Sequence, residues 1–122
     1  AAVEDCMQTF DVYINFKELK QMGLLHPDID ANACVFNRGI FVVDVKRWQD
    51  LKLASEIEKW MGHYRDAKKD LYKWGMSQPP WLLAVRGRYR RLGPEWNCRG
   101  LGREFLNSKE LEEVKAQGID KV

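Results

Sequence analysis

The segment from Cys34 to Val45, Cys-Val-Phe-Asn-Arg-Gly-Ile-Phe-Val-Val-Asp-Val, limits most what this chain can become. Ile40 to Val43 is apolar at four successive positions, three of them β-branched. Such a short run without alternation reads as a strand covered on both faces, as at the centre of an α/β sheet. Asp44 then stands where it caps a helix over Lys46 to Leu51. Strands alternating with helices predict an α/β fold class. A helical bundle, the other arrangement considered, accommodates the Ile40–Val43 run poorly.

The remaining segments fit this class. Ala1 to Val3 reads as the end of a small-residue strand running into Glu4-Asp5. Phe10 to Asn15 alternates apolar and polar side chains, which suits an extended segment or a short edge strand. Phe16 to Met22 makes about two helical turns stopped by Gly23, and His26 to Asn32 is rich in turn formers and reads as a loop. A longer helix is expected from Ser55, with Glu58 at capping-box spacing. Its Ile57, Trp60, Met61 and Tyr64 form one stripe toward a core. Leu71, Tyr72 and Trp74, set among Lys68, Lys69 and Lys73, suggest a short amphipathic turn closed by Gly75. Pro79 to Val85 reads as a buried helix, since proline is tolerated in a first turn, and it ends at Gly87. A brief strand over Arg88 to Leu92 and a glycine-containing loop from Gly93 to Gly102 follow. The last stretch, 104–122, is charged and reads as a helix capped by Ser108 or a frayed tail.

Length and charge narrow the function classes. At 122 residues there is room for one core. No apolar run approaches the roughly 18 residues of a membrane helix. The net charge of +2 is too small to argue for nucleic acid, and one tyrosine within Arg88 to Arg91 is a thin stacking platform. Charge is nonetheless uneven. Six arginines (86, 88, 90, 91, 99, 103) face a single acid, Glu95, a local excess of five that leaves the remainder at −3. The chain opens without a Met, a basic leader or a cleavable apolar stretch, as if in the middle of a larger unit.

Few residues point to chemistry. His26 and His63 lack Cys, Asp or His neighbours at metal spacing. Asp28-Ile29-Asp30 follows no apolar strand and reads as a solvated turn. Cys6, Cys34 and Cys98 show no CxxC spacing, which argues against zinc. Either three free buried thiols or one disulfide with a leftover thiol satisfies the count. No GxSxG, HExxH, P-loop or GxGxxG occurs. Asn37 offers a donor pair and an acceptor to a polyhydroxylated ligand, and Gly39 lets the backbone come close; a β-bulge or turn explains the same pair. Glu4 and Asp5 are placed to grip hydroxyls at the carboxyl end of a strand, or they belong to a solvated turn. Trp96-Asn97, with Arg99 and Arg103, makes either a lip for an anionic ligand or a basic surface loop.

The blocks AAVEDC, ACVFNRGIFVVDVKRW, EKW, LYKWG, SQPPWLLAVRGRY and PEWNCRGLG occur in an order that resembles glycosyltransferase family 8. Its Phe-Asn-x-Gly strand followed by Asp-x-x-x-Trp, Asp44 to Trp48, is the most specific block. The Pro-Pro-x-Leu-Leu and Trp-Asn-x-x-Gly-Leu-Gly blocks resemble the eukaryotic branch. The resemblance implies a GT-A-type fold, represented here by its central and later part. Residues 1–103 would belong to the catalytic domain and 104–122 to its charged tail. It implies a retaining hexosyltransferase that moves a hexose or hexuronic acid from a UDP-sugar donor to a glycan or polysaccharide acceptor. It also implies Mn²⁺ as cofactor and the Golgi lumen as the full-length protein's location. Asn37 matches the family asparagine on the donor sugar, Asp5 or Glu4 the sugar-binding carboxylate, and Gln78 the one matching position of a bacterial Asp-Gln-Asp. The family's Asp-x-Asp and its later His/Lys motif correspond to positions before Ala1 and after Val122. No metal ligand is therefore expected within the chain, and these 122 residues are expected to be inactive alone. The other reading is a non-catalytic relative that holds a glycan or protein through the Arg86–Arg103 patch.

Overall fold

The computed structural model describes residues 1–75, 77–97, 104–116 and 118. Strand β1 (Ala2–Thr9) runs into a single helical turn, α1 (Phe10–Tyr13), and then α2 (Phe16–Gln21). Strand β2 (Cys34–Phe41) is followed by α3 (Val45–Asp50), α4 (Leu53–Asp66) and α5 (Gln78–Val85). Strand β3 (Arg91–Leu92), a 3₁₀ turn at Pro94–Trp96 and α6 (Ser108–Ala116) complete the described part. The sheet is mixed, in the order β2-β1-β3, with β2 antiparallel and β3 parallel to β1. The expected α/β class holds at this level, but the middle strand is β1.

That placement changes the reading of Ile40–Val43. β2 lies at the sheet edge and ends at Phe41, so Val42 and Val43 fall past the strand; Val42 is 61% exposed, with Ile40 and Phe41 also exposed. An apolar run reports that a strand is suited to burial on two faces, and nothing among the described residues covers the second face. Glu4 and Asp5 lie within β1, which continues to Thr9, and so are not at a strand's carboxyl end. Phe10 to Tyr13 is a helical turn, because Phe10 and Ile14, four residues apart, both reach the core. Extended backbone follows at Ile14 and Asn15, and Ile14 bridges Tyr72. Leu71 and Tyr72 are thereby buried as a strand-like patch, in place of the expected amphipathic turn, while Trp74 stays 69% exposed.

Several helix ends follow from single residues. Asp44 accepts a hydrogen bond from the Arg47 backbone N–H at 3.0 Å and caps α3. Asn15 caps α2 through Glu18, and Gly23 and Gly87 end their segments with φ of +70° and +67°. α4 starts at Leu53, two residues before Ser55, because Lys52 adopts a left-handed conformation that turns the chain out of α3. The buried stripe is consequently Leu53, Ile57 and Trp60, and Met61 is exposed. Asn107, rather than Ser108, caps α6, with Asn107 and Glu110 exchanging backbone-to-side-chain bonds in a capping box. Buried Val114 docks the helix, so Ser108–Ala116 is a packed element.

Six of the eight residues of α5 are buried, the signature of a helix surrounded by protein. It packs beside α4, and both join the cluster that includes Val35, Phe36 and Leu19. Asp28 and Asp30 flank Ile29, which is buried in this core, and Asp28 pairs with Arg86 at 3.0 Å. This loop is therefore anchored. Cys6 and Cys34 form a disulfide that ties β1 to β2. Of the two cysteine arrangements open from the sequence, the disulfide holds and three free thiols do not; Cys98 lies outside the described residues.

Candidate functional site

Three regular residue pairs join β1 to β2: Val3 with Asn37, Glu4 with Phe36, and Asp5 with Val35. The register jumps at each end of this ladder. On one side Ala2 pairs with Phe41, which leaves Arg38, Gly39 and Ile40 bulged from β2. On the other Thr9 pairs with Cys34, which leaves Cys6 to Gln8 bulged from β1. Bulges re-aim the side chains beside them and recur next to binding sites. Strand alternation puts Asp5 and Asn37 on one face and Glu4 on the other.

At the β2 bulge the Gly39 backbone N–H donates to Asn37 Oδ1 at 2.8 Å. A Cβ added to Gly39 would meet Asn97 Nδ2 at 3.0 Å and Asn37 Oδ1 at 3.1 Å. The absent side chain is thus what lets Asn97 approach. Both sequence readings of this pair apply together, since the bulge is the device that presents the carboxamide. Asn97 Nδ2 is buried and makes no hydrogen bond among the described residues. A buried amide donor without a partner is costly, and a hydroxyl acceptor arriving there would satisfy it. Asp5, Asn37 and Asn97 line a small cavity of about 30 Å³, closed by Glu113 of α6.

A larger cleft of about 560 Å³ opens beside it between β2 and the start of α5. Asp5, Asn37, Gly39 and Gln78 all line it, together with Arg38 and Trp81. Gln78 Nε2 donates to the Phe36 carbonyl at 3.0 Å and its Oε1 accepts from Arg38 Nε. Both ends of this amide are engaged in holding β2, so here Gln78 shapes the cleft wall. Glu4 is likewise committed: its Oε1 accepts from the Tyr89 hydroxyl at 2.6 Å and pairs with Arg91 Nε at 2.9 Å. Trp96 is 59% exposed on the 3₁₀ turn that delivers Asn97. Arg99 and Arg103, expected beside it, lie outside the described residues.

Reading the sequence missed Arg38, Trp81, Gln8 and Tyr13 as cleft residues. Arg38 and Trp81 could have been found from their place inside the Asn37–Gly39 and Pro79–Leu83 blocks. Gln8 and Tyr13 carried no signal, because the β1 bulge and the α1 turn that bring them together are tertiary outcomes. The arginine-rich stretch is also less of a unit than its spacing suggested. Arg86 is spent on Asp28 and Arg91 on Glu4, while Arg88 and Arg90 border a separate groove with Trp48 and Val85.

Among the described residues one grouping has the spacing of metal ligands, Glu4 with Cys6 and Cys34. It does not suit a hard divalent cation. Its two sulfurs are joined in a disulfide and offer no thiolate, and the remaining carboxylate is already paired with Arg91. Such cations require several oxygen donors.

Comparisons with known proteins show the family. The profile described as "Glycosyl transferase family 8" matches residues 1–119, and the chain belongs to that family. It is 34% identical over 94 residues to "Glycosyltransferase 8 domain-containing protein 1" of Danio rerio, covering 74% of this chain and 25% of that protein. The protein of that name from Xenopus laevis is 33% identical over 108 residues, 85% of this chain and 29% of its own. "Probable galacturonosyltransferase-like 10" of Arabidopsis thaliana is 32% identical over 107 residues, 88% of this chain and 29% of its own. The chain thus spans 25% to 29% of the length of these curated relatives. No solved structure matches the chain significantly.

Proposed function

We propose that this chain forms the sugar-facing part of a retaining glycosyltransferase with a GT-A-type fold. In this reading the whole protein takes a sugar from a UDP-linked donor and joins it to a hydroxyl of a glycan acceptor, keeping the anomeric configuration. On the same reading residues 1–103 belong to the catalytic domain and 104–122 are the charged tail of the same domain. The single observation that carries this reading is the meeting of Asp5, Asn37 and Asn97 at the Gly39 gap. A carboxylate, a carboxamide already fixed by its own backbone and a second carboxamide with an unused buried donor suit an array of sugar hydroxyls. Fixed polar groups of this kind lower a barrier by needing no reorganisation when the sugar moves.

Manganese belongs to this reading as the group that neutralises the departing diphosphate. The described residues do not fit it, and its ligands are assigned outside them. The Golgi lumen fits the Cys6–Cys34 disulfide, because such bonds persist in oxidising compartments. The names of the relatives support transfer of a glycosyl group, and a glycan or polysaccharide acceptor is part of the proposal.

The test is transfer by the full-length protein with Mn²⁺, using a panel of UDP-sugars and oligosaccharide acceptors, with the product's anomeric configuration read by NMR. Transfer with retention is expected. Hydrolysis or transfer with inversion, or inactivity with every donor and acceptor, would overturn the reading.

A further inference from the structure

Asn97 follows the 3₁₀ turn, and its Nδ2 is buried without a hydrogen-bond partner. No other buried side-chain nitrogen or oxygen among the described residues lacks one. An amide donor left in that state is destabilising, so the position favours an acceptor brought from outside the chain. The space beside it is the cavity of about 30 Å³. Asp5 and Asn37 border both this cavity and the cleft of about 560 Å³, which makes the cavity a side recess of the cleft. It has room for an oxygen-sized group and none for a sugar ring.

The docking of α6 decides which side chain closes the recess. The capping box of Asn107 and Glu110 fixes the start of the helix, and Glu110 and Val114 are buried. Glu113 stands three residues after Glu110 and shares its helix face with Glu110 and Val114. Lys109, Glu112 and Lys115 are exposed on the remainder of the helix. A carboxylate on the packed side of an otherwise solvated helix is unfavourable unless something donates to it. Glu4 also borders the recess, but its carboxylate is committed to Tyr89 and Arg91. Asp5 Oδ1 accepts from the Met7 backbone N–H at 3.0 Å. The recess thus combines a donor, Asn97 Nδ2, with an acceptor, the Glu113 carboxylate. A hydroxyl satisfies both at once: its oxygen accepts from the amide and its O–H donates to the carboxylate. A water molecule does the same until a substrate hydroxyl displaces it.

We propose that Glu113 is a specificity residue: with Asn97 it reads one unsubstituted hydroxyl of the transferred sugar in this recess. The inference rests on the reading of the site as a sugar-transfer site. It deepens that reading by adding a discriminating residue from the charged last stretch of the chain. Two kinds of sugar are rejected. One lacks the hydroxyl and leaves Asn97 Nδ2 and Glu113 unpaired, the arrangement that discriminates most strongly against a missing polar group. The other carries a substituent on that oxygen, which overfills so small a recess and removes the proton that Glu113 accepts.

The test uses the full-length protein as wild type, Glu113→Ala and Glu113→Gln, with melting temperature as a check on folding. The donors are UDP-glucose and UDP-galactose, with analogues in which each sugar hydroxyl in turn is deleted or methylated. Binding is read by calorimetry and transfer as kcat/KM. In the wild type, deleting one particular hydroxyl should lower kcat/KM about a hundredfold, far more than deleting any other. Methylating the same hydroxyl should be rejected as strongly. Glu113→Ala should shrink both penalties about tenfold, as the acceptor is lost and the recess opens, and leave those at the other hydroxyls unchanged. Glu113→Gln, which keeps an acceptor of the same size, should retain most of the discrimination. A merely structural α6 would make Glu113→Ala lower transfer of every donor by one factor, and that result would overturn the proposal. So would a wild type indifferent to which hydroxyl is altered, which would assign the recess to water only. Either failure leaves the transferase reading standing. A wild type that neither binds nor transfers any nucleotide-sugar removes that reading and this inference with it.

Discussion

Asn37 and Gly39 are locked together: the Gly39 backbone N–H donates to Asn37 Oδ1 at 2.8 Å across the β2 bulge. The bond fixes the rotamer of Asn37 and leaves its amide group to face the cleft. The same bulge brings Asn97 against the bare α-carbon of Gly39. One irregularity in one strand therefore assembles the polar wall of the site. Residues that are distant in sequence converge there because β1, β2 and the 3₁₀ turn meet at that point.

Gly39→Ala tests this convergence. Gly39 does not adopt a positive φ, so alanine meets no backbone strain there. Its methyl would press on Asn97 and Asn37 at 3.0 and 3.1 Å, and the loop carrying Asn97 must yield. The expected cost in stability is small, about 1 kcal/mol. Donor affinity, measured by calorimetry on the full-length protein, should fall about tenfold as the pocket fills. Unchanged affinity would show that the Gly39 gap is not part of the sugar site.

The Cys6–Cys34 disulfide closes a segment of 28 residues at the β1 bulge. Restricting the unfolded chain over that length contributes about 3.5 kcal/mol in the chain-entropy treatment. The Cys6→Ser/Cys34→Ser double variant should lose stability of that order in urea unfolding. Reductant should destabilise the wild type and leave the double variant unaffected. Insensitivity of the wild type to reductant would contradict the assigned pairing.

Burial, with the hydrogen bond to Glu4 second, raises the Tyr89 phenol pKa well above its ordinary value of 10.0. Burial does the same for Tyr72, whose hydroxyl donates to the Trp60 carbonyl at 2.7 Å. A raised folded-state pKa means that the folded chain holds the proton more tightly than the unfolded chain. The associated stability is complete below about pH 10 and is lost as pH rises beyond it. Tyr89→Phe should reduce that alkaline loss and cost about 1 kcal/mol at neutral pH. The check is thermal melting followed from neutral to alkaline pH, alongside phenolate absorbance. A Tyr89→Phe profile that falls as steeply as the wild type would remove Tyr89 from this role.

Much of the scaffold was legible because it is set by local chemistry. Asp44 caps α3, Gly23 and Gly87 take positive φ, and the paired prolines open a helix apolar on all sides. The failures share a different cause. Phe10–Asn15 has both a two-residue and a four-residue apolar spacing, and only contact with the core selects the helical turn. Ile40–Val43 reads the same whether covered or bare, so its edge position was invisible. Cysteine pairing depends on which residues folding brings within reach, and here the β1 bulge decides it. At the candidate site, Asp5, Asn37 and Gly39 were legible as polar or flexible residues beside apolar runs, and Asn97 as a polar residue in a glycine-containing loop. The engagement of Glu4 by Arg91 and of Gln78 by Phe36 was not, because those partners lie far along the chain.

The most direct test of the sugar site is Asn37→Ala in the full-length protein, with transfer rate and melting temperature measured on the same preparation. Losing the bond to Gly39 should cost about 1 kcal/mol of stability and leave a folded protein. On the proposed function, in which Asn37 meets the sugar, removing its carboxamide should lower transfer about a hundredfold or more. A folded Asn37→Ala protein that transfers sugar at the wild-type rate would contradict the role assigned to Asn37 and to the site built around it.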